Sequence, residues 1–104
     1  MNQALIDEVT RRLTEYPLYS QEEKPNHLIV VKLFNAFGAG NWYLSEYDPK
    51  EDRAFGYVTG LGGDEWGYIC IGELASVFLG GSEVPLIEVD LHFKPAPFSE
   101  LKLK

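Results

Sequence analysis

The sequence is short of the features that assign a function quickly. It has one cysteine, Cys70, so no internal disulfide can form. In the apolar run Tyr68-Ile69-Cys70-Ile71 that thiol is expected to be buried and inert. One cysteine and two distant histidines, His27 and His92, give no zinc-ligand spacing, and neither a metal nor a cofactor is expected. No apolar run reaches the roughly eighteen residues of a membrane-spanning helix. The start, Met1-Asn2-Gln3-Ala4, carries neither the basic nor the apolar stretch of a signal peptide, and the cytoplasm is the expected location. No Gly-x-Ser-x-Gly elbow surrounds any serine, and no phosphate-loop spacing joins the glycines. Positive charge is also scarce, with nine Lys and Arg against sixteen Asp and Glu. Nucleic-acid affinity comes largely from cations neutralising phosphates, so direct DNA or RNA binding is disfavoured.

What is present reads as one domain spanning residues 1–104. An apolar share of 45% and a charged share of 24% are those of a globular chain. The carboxylates are unevenly spread: ten lie between Glu46 and Asp90, opposed there by Lys50 and Arg53 alone. Such a surface favours a basic protein partner, because complementary potentials steer encounter. The plainer alternative is that the charge only keeps the domain soluble.

Periodicity gives the elements. Leu5, Val9 and Leu13 make one stripe of a helix over residues 3–15, stopped by Pro17. Five strands follow, over 28–34, 42–47, 53–60, 65–71 and 86–94, with a short helix near 73–79 before the last. Asp48-Pro49-Lys50-Glu51-Asp52 and Leu61-Gly62-Gly63-Asp64 are turns, so the middle strands are antiparallel neighbours. The fold class is α+β: an antiparallel meander of about five strands with both helices packed on one face.

Several unlike motifs then occur in order: Asn41-Trp42-Tyr43, Glu46-Tyr47-Asp48-Pro49, Phe55-Gly56-Tyr57-Val58, Glu65-Trp66-Gly67-Tyr68, Gly72-Glu73-Leu74-Ala75-Ser76-Val77, and Pro85 through Pro95. From about residue 5 to about residue 101 the chain resembles the domain of unknown function 2958 family. The resemblance implies a small bacterial protein of the kind carried on plasmids, phages and other mobile elements. It brings no catalytic residue. An accessory or inhibitory role in host conflict is what that company implies.

Two constellations invite chemistry. Glu88, Asp90 and His92 alternate along the last strand, roughly 7 Å apart on one face. They could serve a small metal-dependent or acid–base enzyme, with Glu46 or Asp64 as a further donor, or be a solvated strand face. The second is the aromatic set Trp42, Tyr43, Tyr47, Phe55, Tyr57, Trp66 and Tyr68. Strict alternation sets Trp42 opposite Tyr43 and Tyr47, which puts rings on both faces. Such rings can pack the sheet, form a protein interface, or stack bases. The favoured reading is a non-enzymatic module, monomer or homodimer, that binds a basic, nucleic-acid-handling or host-defence protein. The expected contact residues are Trp42, Tyr43, Glu46, Tyr47, Asp48, Tyr57, Asp64, Glu65, Trp66, Glu88 and Asp90.

Overall fold

The computed structural model describes residues 1–103. The first helix, α1, runs Gln3–Arg12. Asn2 caps it, its side-chain oxygen accepting the Leu5 N–H at 3.3 Å. Arg11 and Arg12 close its last turn, where cations suit the helix dipole, and both grip the Glu8 carboxylate. The hydrogen bonds from Arg11 hold that carboxyl below its ordinary value. The helix ends at Arg12, short of residue 15, and beyond it the Thr14 hydroxyl donates to the Thr10 and Arg11 carbonyls.

The main sheet has five strands: β2 (Val31–Asn35), β3 (Asn41–Asp48), β4 (Arg53–Thr59), β5 (Glu65–Ile69) and β6 (Ile87–Val89). Their spatial order is β5-β4-β3-β2-β6, with every pair antiparallel. A separate two-stranded ribbon pairs β1 (Leu28–Ile29) with β7 (Ala96–Pro97). The expected first strand is therefore cut at Val30, whose N–H turns to the Leu44 carbonyl. A four-residue helix, α2 (Ile71–Leu74), follows β5, starting two residues earlier than expected and ending before residue 79. No helix among the described residues is long and apolar enough to cross a membrane.

One irregularity rearranges the faces. The β3–β4 register shifts between Leu44 and Glu46, leaving Ser45 as the extra residue of a β-bulge. Alternation is reset there, so Tyr47 joins Trp42 rather than opposing it. Gly56, opposite Leu44, permits the close approach: a Cβ at that position would collide with the Tyr43 carbonyl oxygen.

The helix-covered face is the main core. Leu5, Val9 and Leu13 of the N-terminal segment pack with Ile71 and Ala75 onto Val31, Leu33, Trp42, Leu44, Tyr47 and Ala54. The opposite face is covered too. Phe93, the 3-10 turn Phe98–Leu101, and Leu103 lie over Ile29, Tyr43, Tyr57 and Trp66. The chain reaches that side because β6 ends after three residues. Asp90 sends its N–H to Lys32, then accepts the His92 N–H on its side chain, and this Asx turn redirects the backbone. Leu91 is 69% exposed, and the Phe93 ring meets Tyr43 edge-on at 6.5 Å.

Candidate functional site

The expected contact residues fall into three groups. Trp42 and Tyr47 belong to the helix-covered core, at 7% and 3% exposure, and their rings are not open to a partner. Tyr43 and Tyr57 are buried on the other face beneath the C-terminal segment. Burial pushes the Tyr43 phenol above its ordinary value. Trp66 is half-buried, stacked on Phe55 at 5.5 Å and tilted against Phe98 at 4.7 Å. The acidic residues are similarly divided. Asp64 and Glu65 are exposed beyond the β4–β5 turn, and half-buried Asp48 accepts the Lys50 N–H. Glu88 is exposed beside α1, lining an open cavity of about 530 Å³ with Ala4, Leu5, Asp7, Glu8 and Leu91 among its walls. Asp90 turns to Lys32 at 3.8 Å, and His92 lies past the Asx turn. The row Glu88, Asp90, His92 therefore leaves the strand rather than running along it. No group of three His, Cys, Asp or Glu among the described residues could hold a metal ion.

Glu46 has a different role from a surface carboxylate. It is 3% exposed, and its two oxygens accept the backbone N–H groups of Tyr19 at 2.9 Å and Gln21 at 2.8 Å. The bulge is what turns this side chain toward the 17–24 loop. Gln21, itself buried, fixes the loop further by donating to the Ser45 and Leu28 carbonyls and accepting the Leu28 N–H. The clamp holds Tyr19 at a φ of 71°, a backbone region uncommon for a residue with a side chain. Its ring stands 55% exposed at the border of the aromatic face.

There a cleft of about 130 Å³ opens, lined by Tyr19, Glu22, His27, Glu46, Phe55 and Tyr68. Tyr68, on the outer strand of the sheet, is 56% exposed and packs on Phe55 at 5.2 Å. Its phenol is pushed up by desolvation, then by the neighbouring Tyr19 and the negative charges of Glu46 and Glu22. His27 lies against Phe55 and Trp66, with Nδ1 3.2 Å from the Ser45 hydroxyl. That hydroxyl in turn donates to the Phe55 carbonyl at 3.2 Å, which ties the ring to β3 and β4. The cleft thus offers aromatic faces and oxygen acceptors to whatever enters it.

Residues 4–101 match the family described as Protein of unknown function (DUF2958). The chain belongs to that family. No curated protein and no solved structure matches it.

This DUF2958 chain has a second polar centre that its sequence does not advertise. Asp52, at a φ of 53°, ends the β3–β4 turn. Its carboxylate accepts the Tyr47 hydroxyl at 2.8 Å, the Cys70 thiol at 3.0 Å, and the Ile71 and Gly72 N–H groups at 3.1 and 2.8 Å. Burial works against its charge, but these four donors outweigh it and hold the carboxyl below its ordinary value of 3.8. The same contacts raise the partners: the bond to Asp52 lifts the Cys70 thiol, and burial, then Asp52, lifts the Tyr47 phenol. Cys70 is exposed, not buried, because β5 ends at Ile69 and residue 70 becomes the N-cap of α2. Asp52 anchors the start of α2 to the sheet: Cys70, Ile71 and Gly72 donate from the helix start and Tyr47 from β3.

Of the six residues lining the cleft only Glu46 was among the expected contacts; Phe55 and Tyr68 were in the aromatic set but not among those contacts, His27 was weighed only as a zinc ligand, and Tyr19 and Glu22 sit in or beside a polar loop with no periodicity to read. An isolated tyrosine just after Pro17 and before a run of charge was the one available hint.

Proposed function

We propose that this DUF2958 protein is a non-enzymatic binding module that engages a Lys- and Arg-rich surface of another protein. The observation that carries this reading is the cleft where the open margin of the aromatic face meets carboxylates. Tyr19 and Tyr68 are large exposed rings, and Glu22 and Glu46 supply negative charge beside them. Rings of this kind are enriched at hot spots, and the charge selects cations. The cleft is far smaller than the roughly 300 Å³ at which small-molecule pockets begin, so it suits a side chain of a macromolecule rather than a metabolite. Exposed Asp64 and Glu65 extend the acidic margin beyond it.

The partner we envisage is a nucleic-acid-handling or host-defence protein of the cytoplasm, whose phosphate-binding surface the carboxylates would occupy. This protein would then be an accessory of a mobile genetic element. The test is a titration with short basic, neutral and acidic peptides by fluorescence anisotropy. Basic peptides should bind, and their affinity should fall as salt rises. Equal binding of all three classes, or none at all, would remove the proposal.

A further inference from the structure

Resting on that reading, we infer that the cleft between Tyr19 and Tyr68 is an arginine socket: it takes one guanidinium head of the partner and discriminates against lysine. Four features of the site lead there.

The first is size. At about 130 Å³ the cleft holds roughly the volume of four liquid waters, enough for a single side-chain head and not for a folded loop. The second is ring chemistry. Tyr19 and Tyr68 are exposed rings at the rim, and cations are drawn to aromatic rings, arginine more often than lysine because its planar head stacks and is weakly hydrated. Phe55 lies beside them with its ring already stacked on Trp66, and Arg53 lies 5.7 Å over the Tyr68 ring, so an incoming head meets Tyr19 and shares Tyr68 with that arginine. The third is acceptor supply. Glu22 is exposed and supplies the carboxylate that a cation would meet. Glu46, 3% exposed with each oxygen taking one backbone N–H, lends negative charge from the cleft wall rather than an open acceptor. A guanidinium has about five N–H donors, whereas an ammonium has about three and no plane to stack. The fourth is preorganisation. Tyr19 is held in its uncommon backbone conformation by Glu46, so the ring is positioned before any cation arrives.

The test uses the full chain and small probes, N-acetyl-arginine amide, N-acetyl-lysine amide and tetramethylammonium, with NMR shifts of the tyrosine and phenylalanine rings as the readout. The arginine probe should give saturable shifts confined to Tyr19, Phe55 and Tyr68. The lysine probe should bind about tenfold more weakly. Tyr68→Ala and Glu22→Gln, both at exposed positions, should abolish or weaken the response while the rest of the spectrum stays folded. Tighter binding of tetramethylammonium, equal binding of lysine, or a response unchanged in Tyr68→Ala would overturn the socket. A short arginine-rich peptide separates this from the broader reading. If it binds but shifts Asp64 and Glu65 instead of the cleft, the socket is wrong and the basic partner stands. If it does not bind at all, both fall.

Discussion

The two faces of this sheet are closed by different means. On one, Leu5, Val9 and Leu13 of the N-terminal segment lie against Val31, Leu33 and Leu44, all buried aliphatic side chains in direct contact. On the other, rings with polar handles are covered by the C-terminal segment. That cover is tied down by the pairs Leu28–Pro97 and Ile29–Ala96, the Phe98 N–H to the His27 carbonyl, and a reciprocal Asn26–Ser99 exchange. Pro95 and Pro97 have no N–H to contribute to it. The difference teaches where the chain is covered and where it stays open. The helix-covered face is mainly aliphatic, holds Trp42 and Tyr47, and opens beside α1 and Glu88, while the other face is covered in its middle and open at its β5 margin, where Tyr19 and Tyr68 emerge.

That comparison can be broken by graded substitutions. Leu33→Ala, in the middle of the aliphatic face, should cost about 3 kcal/mol in denaturant unfolding, the range for a fully buried leucine. Phe98→Ala on the other face should cost about half that, since Phe98 is half-buried, and should shift Trp66 fluorescence to the red as the ring covering it is lost. Equal losses would mean that the C-terminal segment is as integral as α1.

Asp52→Asn keeps the shape of the anchor and removes its charge, and should cost about 1–2 kcal/mol near neutral pH. The sign with acid follows from the direction of its shift. A carboxyl held below 3.8 in the fold contributes stability that is present above about pH 4 and is lost as pH falls through its folded-state value. The gap between wild type and Asp52→Asn should therefore narrow below about pH 4. A gap that stays constant in acid would show that the cost comes from the acceptor oxygen replaced by an NH2 donor rather than from the charge. The smallest stability effect should be Tyr68→Ala, within about 0.5 kcal/mol, because the side chain is largely exposed. A large loss there would make Tyr68 a packing residue and weaken the case for a binding margin.

Much of the fold was legible from local pattern. The hairpin turns at Pro49 and Gly62-Gly63 made neighbours of β3, β4 and β5, and the Leu5, Val9, Leu13 stripe located α1. The α+β meander with helices on one face is what the structure has. Three features were not legible, each for a physical reason. The bulge at Ser45 depends on a partner strand, so alternation alone set Tyr47 on the opposite face from Trp42. The Asx turn at Asp90 competes with an otherwise uninterrupted alternation, and the sequence between Leu86 and Lys94 does not say which wins. The role of Glu46 comes from N–H groups about 25 residues away in the chain, a contact that no spacing encodes. For the candidate site, the sequence pointed to rings and carboxylates near the middle strands, but most of those rings lie on faces that the chain itself covers. The open part is a margin completed by Tyr19 and Glu22 from a loop.

The most direct test of that margin is the affinity of a short arginine-rich peptide for wild type, Tyr68→Ala and Glu22→Gln, measured by calorimetry at about 0.05 and 0.3 M salt. The account predicts binding to wild type that weakens with salt, and losses of about tenfold in each variant with folding stability unchanged. Undiminished, salt-independent binding in both variants would contradict it.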